Sequence, residues 1–151
     1  MKPGVESELE RLVKQEVYQA VTSSDWTAPI VPVKKEDGHI RVCGDYSVTT
    51  NTVTQYYPVQ KTEDLLATLN KGQKFSKIDL SLAFQQLELG EDSQELLTIN
   101  THKWLFRPSR LQFGVHSAAG IFQRELEKRL AGIPRTVLMT SWKTVKMIQS
   151  T

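Results

Sequence analysis

The chain has 151 residues, 39% of them hydrophobic and 24% charged, with a formal net charge of +2. This is an ordinary soluble globular composition, long enough for one domain with its own core, and too weakly basic to argue for a nucleic-acid partner by itself. A single cysteine, Cys43, excludes an internal disulfide and a cysteine zinc site, and His39, His102 and His116 are too scattered for metal-ligand spacing. The N-terminus carries charges where a signal peptide needs an apolar run, and no apolar stretch approaches the roughly 20 residues of a membrane span. The expectation is a soluble, intracellular chain with no membrane partner.

In chain order, Ser7 and Glu10 fit a capping box, and Leu9, Leu12, Val13, Val17, Ala20 and Val21 follow at helical spacing, predicting a helix over 8–21. Pro29 and Pro32 make 26–33 extended and place it at a sheet edge. Two strand-like runs flank Asp37-Gly38, a strong hairpin signal, and alternation puts Arg41, Cys43 and Asp45 on one face of the second strand. A loop rich in Thr, Asn and Tyr ends at Pro58, and Thr62 starts a short helix through Leu69. A strand over 74–79, a helical turn, and strands near 96–101 and 103–107 come next. Ser117 is placed to cap a helix through Leu130 with Ala118, Ile121, Phe122, Leu126 and Leu130 inward, ended by Gly132 and Pro134. Residues 136–151 have weak strand character. Helices and hairpins without regular alternation predict an α+β fold.

Three features bear on function, each with a plain explanation. Asp79, at the end of a strand expected to be buried, reads as the N-cap of the turn at Leu80 or as a metal ligand. Lys34, Lys35 and Arg41 on the hairpin read as a solvated basic turn or as a finger that neutralises phosphates, with Arg41 suited to paired contacts. The run 110–123, with Gly114 and small residues over 117–120, reads as a glycine turn before a packing face or as a place where a nucleotide approaches a helix start.

Taken together and in order, the basic hairpin, Arg41 to Tyr46, Phe75 to Phe84, Thr98 to Lys103, and Leu111 to Gln123 resemble the reverse transcriptases of long-terminal-repeat retrotransposons, with the gypsy-like branch nearest. The resemblance covers about residues 5–138. It implies the fingers and part of the palm of a right-hand polymerase, whose reaction adds a deoxynucleotide to a primer end on a nucleic-acid template. Two Mg²⁺ ions about 4 Å apart would carry that reaction, held by clustered carboxylates. On this resemblance Asp79 is the first carboxylate and the backbone carbonyl of Leu80 a neighbouring ligand. Phe84 is similar to the ring that excludes a 2′-hydroxyl, Arg41 with Lys34 or Lys35 to the residues that grip the triphosphate, and Phe113 with Gly114 to the pocket floor.

The chain also departs from the pattern. Ser141 and Trp142 stand where the family has its Asp-Asp pair, and no Asp or Glu follows Glu127. Gln112 and Ala119 stand where the family usually has proline, Trp104 where it has glycine, and Pro108 where it has a strand residue, each expected to loosen a turn or strand. The expectation is a truncated, catalytically inactive reverse transcriptase domain over 1–138, with any Mg²⁺ held weakly. The alternative is a retained module that binds nucleic acid or nucleotide without catalysis. The strand at 75–79 is expected to lack a good neighbour, which invites self-association. Residues 139–151 look foreign. Read from the last base of the Met139 codon, with Ser141 encoded as TCN, the tail gives Asp, then Phe, Leu, Ile or Val, then Leu, Met or Val, then Glu. That shifted run is similar to the family's segment after the dyad and suggests a frameshift or a misplaced exon boundary.

Overall fold

The computed structural model describes residues 2–47, 49, 67, 74–133, 136–140 and 145–150. They form a mixed α+β chain that divides into two units, Met1–Thr54 with Phe84–Ala118, and Gln55–Ala83 with Ala119–Thr151. The expected helix over 62–69 lies outside the described residues apart from Ala67, as do Ser141 and Trp142. Among the described residues no helix is long and apolar enough to cross a membrane.

In the first unit, helix α1 spans Lys2–Lys14 and buries Val5, Leu9 and Leu12, spaced four and three apart on one face. It starts before the expected cap and stops well before Val21. Glu16 takes φ 57, its amide donates to the Val13 carbonyl, and the Val17 amide donates to the Leu12 carbonyl. That pair of bonds is a Schellman closure with a left-handed residue at its corner, and Val17 and Leu12 both lie in the core beside it. The apolar residues beyond it belong to strand β1 (Tyr18–Val21), not to a helix. Their spacing fitted both periods, and backbone termination at Glu16 decided the matter.

Strands β2 (Ala28–Lys34), β3 (Ile40–Gly44), β5 (Ile99–Asn100) and β6 (Leu105–Pro108) complete a five-stranded sheet in the order β1-β6-β5-β2-β3, with helix α2 (Glu91–Leu96) leading into β5. The expected edge position of β2 needs correcting, because it lies between β5 and β3. Its prolines are nonetheless accommodated. β5 pairs with β2 at Ala28 and Pro29, and further along that side β2 has no neighbour among the described residues. The Asp45 amide donates to the Pro29 carbonyl and the Lys35 amide to His39, which sets the alternation and makes Pro32↔Val42 a pair without hydrogen bonds. The missing N–H of Pro32 therefore faces the open side. The β2–β3 turn closes as expected, with Gly38 at φ 84 and the Asp37 carboxylate accepting from the His39 amide at 3.0 Å.

The core of this unit gathers Val5, Leu9, Leu12, Val17, Tyr18, Ala28, Val42, Tyr46, Leu97, Ile99 and Phe106. α1 is fastened to the β5–β6 turn by Glu6, whose carboxylate meets His102 Nε2 at 2.8 Å and Lys103 Nζ at 2.9 Å. Three of the four departures from the family pattern have local partners or burial that accommodate them. Trp104 closes a turn built on the Thr101 hydroxyl, which donates to the Trp104 carbonyl and accepts from the Lys103 and Trp104 amides. Pro108 is fully buried at the end of β6. It faces Tyr18 at a position where β1 needs no donor, because the hydrogen-bonded pair is the next one, Ser109 to Val17. Gln112, also buried, donates from its side-chain amide to the Arg110 carbonyl at 2.8 Å, a hydrogen bond in place of a rigid ring.

In the second unit, helix α3 runs Ala118–Leu130, and Gly132 follows it at φ 95. Strands β4 (Phe75–Asp79), β7 (Thr136–Thr140) and β8 (Val145–Ser150) form a sheet in the order β4-β8-β7. Here β4, expected to lack a neighbour or have a poor one, is paired along one side. β4 has an antiparallel partner in β8, over the register Phe75↔Ser150 to Asp79↔Lys146, and β7 pairs with β8 over Thr136↔Gln149 to Thr140↔Val145. The segment read as a foreign tail supplies that neighbour, because β-branched residues such as Val145 and Ile148 suit an extended pairing whatever their origin.

Candidate functional site

Most of the residues singled out by sequence lie in the first unit, where the backbone brings several together. Segments 87–89 and 109–111 bridge each other through Leu111 N–H to the Leu87 carbonyl and Leu89 N–H to the Ser109 carbonyl. That bridge sets the single turn at Ala83–Gln86, which carries Phe84, against the corner that carries Phe113. The two rings meet at 5.1 Å between centroids and tilt by 49°, within the range of a favourable aromatic pair. The Arg41 guanidinium carbon stands 4.6 Å from the Phe113 ring centre, a cation–π contact that holds a planar, always charged group over an aromatic floor. Among the described residues no carboxylate pairs with Arg41.

The register of the β2–β3 hairpin separates the two lysines. Val33 faces Arg41, and Lys34 faces Ile40; the pairing continues from Lys35 to His39. Lys35 therefore shares a face with Arg41 and Cys43, whereas Lys34 lies on the opposite face beside Pro32 and Ile40. Sequence had left the choice between them open. Arg41 and Cys43 are half-buried while Val42 and Gly44 are buried, so the expected alternation holds, with Asp45 just past the strand end. Burial pushes the Cys43 thiol up, and the neighbouring Arg41 charge opposes that shift. The Asp45 carboxyl is held below its ordinary value by hydrogen bonds from the Ser47 side chain and amide.

Gly114 is where the corner touches the sheet. At φ 100 it occupies backbone space that other residues rarely adopt, and a Cβ there would lie 2.3 Å from the Gly44 carbonyl oxygen. Gly44 is covered in turn by Tyr46, with a Cβ at Gly44 falling 2.2 Å from the Tyr46 ring carbon Cζ. Tyr46 is buried, and burial pushes its hydroxyl well above the usual tyrosine range, as it does for Tyr18. Neither Gly44 nor Tyr46 was singled out from sequence. An isolated glycine inside a strand is a signal of close backbone approach, and it was there to be read.

Asp79 and Leu80 belong to the second unit. Ser76, Lys77, Ile78 and Asp79 are exposed and Leu80 is half-buried, so the premise of a carboxylate at the end of a buried strand does not hold. β4 is an end strand with one described neighbour. The residue across from Asp79 in the register is Lys146. Among the described residues no three acidic, histidine or cysteine side chains cluster as metal ligands. Mg²⁺ needs hard oxygen ligands in strict geometry, and a two-ion centre needs several carboxylates together. One exposed aspartate, with no Asp or Glu anywhere after Glu127, does not fit such a centre.

The first unit thus brings a guanidinium and two aromatic rings together at a glycine corner. No family model matches the chain. Over 134 residues it is 38% identical to the Uncharacterized protein K02A2.6 of Caenorhabditis elegans, covering 86% of this chain and 10% of that protein. It is 26% identical over 136 residues to the Retrovirus-related Pol polyprotein from transposon 412 of Drosophila melanogaster, covering 85% of this chain and 11% of that one. The corresponding polyprotein from transposon gypsy is 26% identical over 130 residues, covering 82% and 12%. The chain thus spans about a tenth of the length of these relatives. Among solved structures, the foamy viral protease-reverse transcriptase in complex with double-stranded DNA superposes with a TM-score of 0.85 at 26% identity, over 99% of this chain and 26% of that one. The same protein in complex with an RNA/DNA hybrid gives a TM-score of 0.84 at 26% identity, over 99% of this chain and 20% of that one. The chain is a domain related to the Pol polyproteins of retrotransposons and retroviruses.

Proposed function

We propose that this domain is the fingers and partial palm of a truncated gypsy-like reverse transcriptase that does not synthesise DNA. The observation that carries the reading is the assembly of Arg41, Phe113, Phe84 and Gly114 at one corner, with Lys35 on Arg41's face of the hairpin. A cationic fork beside an aromatic floor suits a triphosphate and its base, because the guanidinium pairs with phosphate oxygens and the rings offer a stacking face. Solved relatives in complex with DNA and with an RNA/DNA hybrid support nucleic acid as the partner. Phe84 would press on the sugar and Lys35 with Arg41 would hold the phosphates. Mg²⁺, the family's cofactor, would supply charge neutralisation at the primer end. With Asp79 as its single carboxylate and Ser141-Trp142 in the dyad position, this chain lacks the ligands to hold two such ions.

A second reading, a binding module retained without catalysis, is favoured by one further fact. The whole cluster lies within the first unit and requires nothing from Asp79. The two readings share a test. The purified chain should be retained on single-stranded DNA at low salt and released as salt rises, and should give no Mg²⁺-dependent primer extension. Incorporation that disappears in Asp79→Asn would overturn the loss of catalysis, and no retention at low salt would overturn the binding assignment.

A further inference from the structure

We infer that Tyr46 is a positioning residue for the Arg41–Phe113–Phe84 cluster, acting through the two glycines stacked between its ring and the corner; this rests on the nucleotide-facing reading of that cluster. The contacts run in one direction. The Tyr46 ring folds back over Gly44 so closely that a Cβ on Gly44 would fall 2.2 Å from Cζ and 2.5 Å from the hydroxyl oxygen. The Gly44 carbonyl in turn meets Gly114 so closely that a Cβ there would fall 2.3 Å away, and the same Cβ would lie 3.5 Å from Tyr46 Cδ2. Ring, strand backbone and corner backbone are thus three layers in direct contact, with no side chain between them.

The height of the corner above β3 is set by these layers, and the height decides the chemistry. Arg41 stands on β3, three residues before Gly44, and Phe113 stands on the corner, one residue before Gly114. Their 4.6 Å approach spans the interface that the two glycines close. A thicker stack would lift Phe113 away from the guanidinium. A missing ring would let the corner sink or tilt, and Phe84, paired to Phe113 at 5.1 Å, would lose its partner's orientation. Tyr46 is 1% exposed, so its influence on binding passes through the groups packed against it, the two glycines among them. Its ring lies against both Gly44 and Gly114, while its hydroxyl oxygen lies against Gly44 alone.

The test measures affinity of the full chain for a fluorescently labelled deoxynucleoside triphosphate in magnesium-free buffer, beside the thermal melt of each variant. Wild type should bind. Tyr46→Phe, which keeps the ring, should bind as wild type. Tyr46→Leu and Gly114→Ala should each lose about tenfold in affinity or more, the scale of a lost cation–π and stacking platform. Gly114→Ala leaves Tyr46 in place and so reads the stack even if Tyr46→Leu melts early. If wild type does not bind the probe, the nucleotide-facing reading fails. If wild type binds and a folded Tyr46→Leu or Gly114→Ala binds equally well, that reading stands and the positioning role is wrong. Loss of affinity in Tyr46→Phe equal to that in Tyr46→Leu would also overturn it, by assigning the effect to the hydroxyl.

Discussion

The two sheets of this chain hold their residues in opposite ways. In the five-stranded sheet the groups of interest are fixed from several sides, with Arg41 over Phe113, Phe113 against Phe84, and Gly114 seated on Gly44. In the three-stranded sheet Asp79 stands exposed on an end strand, across from Lys146 and without a described cluster of carboxylates. A polymerase needs both kinds of place, one that grips phosphate and base and one that concentrates negative charge for metal. These are separable in sequence, because gripping rests on packing within one unit while metal binding rests on a few anionic side chains that single substitutions remove. On the proposed reading the chain has kept the first kind and not the second.

That contrast predicts a graded series of effects. The largest separates the two sheets by the same substitution. Ile99→Ala, at a fully buried position, should cost about 3 kcal/mol of stability in urea unfolding. Ile78→Ala on β4, where the side chain is 43% exposed, should change it by under about 0.5 kcal/mol. Comparable losses at both would show that β4 is packed as tightly as the core strands.

A middle-sized effect concerns the corner. Gln112→Leu removes the amide that donates to the Arg110 carbonyl and should cost about 1 kcal/mol in the same measurement. No loss would mean that the Arg110–Phe113 turn holds without it.

The smallest is a pH effect on the fastening of α1. Hydrogen bonds from Lys103 and then His102 hold the Glu6 carboxyl below its ordinary value of 4.5. A depressed carboxyl stabilises the fold above its unfolded value and loses that contribution as pH falls through the folded one. Lys103 is raised above its ordinary 10.5, chiefly by the same bond, so its contribution is present below that value and fades as pH rises through the folded one. The melting temperature of wild type should exceed that of Glu6→Gln slightly at pH 7, and the gap should close as pH falls well below 4.5. A gap that widens in acid would contradict the assignment.

The sequence made the α+β class, the Asp37-Gly38 hairpin, the strand at 75–79 and the helix from 118 legible, because each carries a local signal of turn chemistry or period. It misplaced what depends on contacts distant in the chain. Val17 and Ala20 fit a helix until the left-handed corner at Glu16 ends it, and Pro32 argued for an edge although β5 is simply too short to reach it. Lys34 and Lys35 could not be told apart before the register put one on each face. Arg41, Phe84, Phe113 and Gly114 were named from resemblance, but their meeting depends on the Leu87–Leu111 bridge, and the underlying Gly44 and Tyr46 were missed. The pairing of β8 with β4 was hidden for a different reason: weak β-propensity says little about which strand a segment will join.

The central claim, that gripping is retained and metal chemistry is not, is tested most directly by the salt dependence of single-stranded DNA affinity in wild type, Arg41→Ala and Asp79→Asn. Arg41→Ala should weaken binding and reduce the slope of log affinity against log salt by about 0.7, the loss of one phosphate contact on a single strand, while Asp79→Asn should leave both unchanged. A slope untouched by Arg41→Ala, or Mg²⁺-dependent binding abolished by Asp79→Asn, would contradict the account.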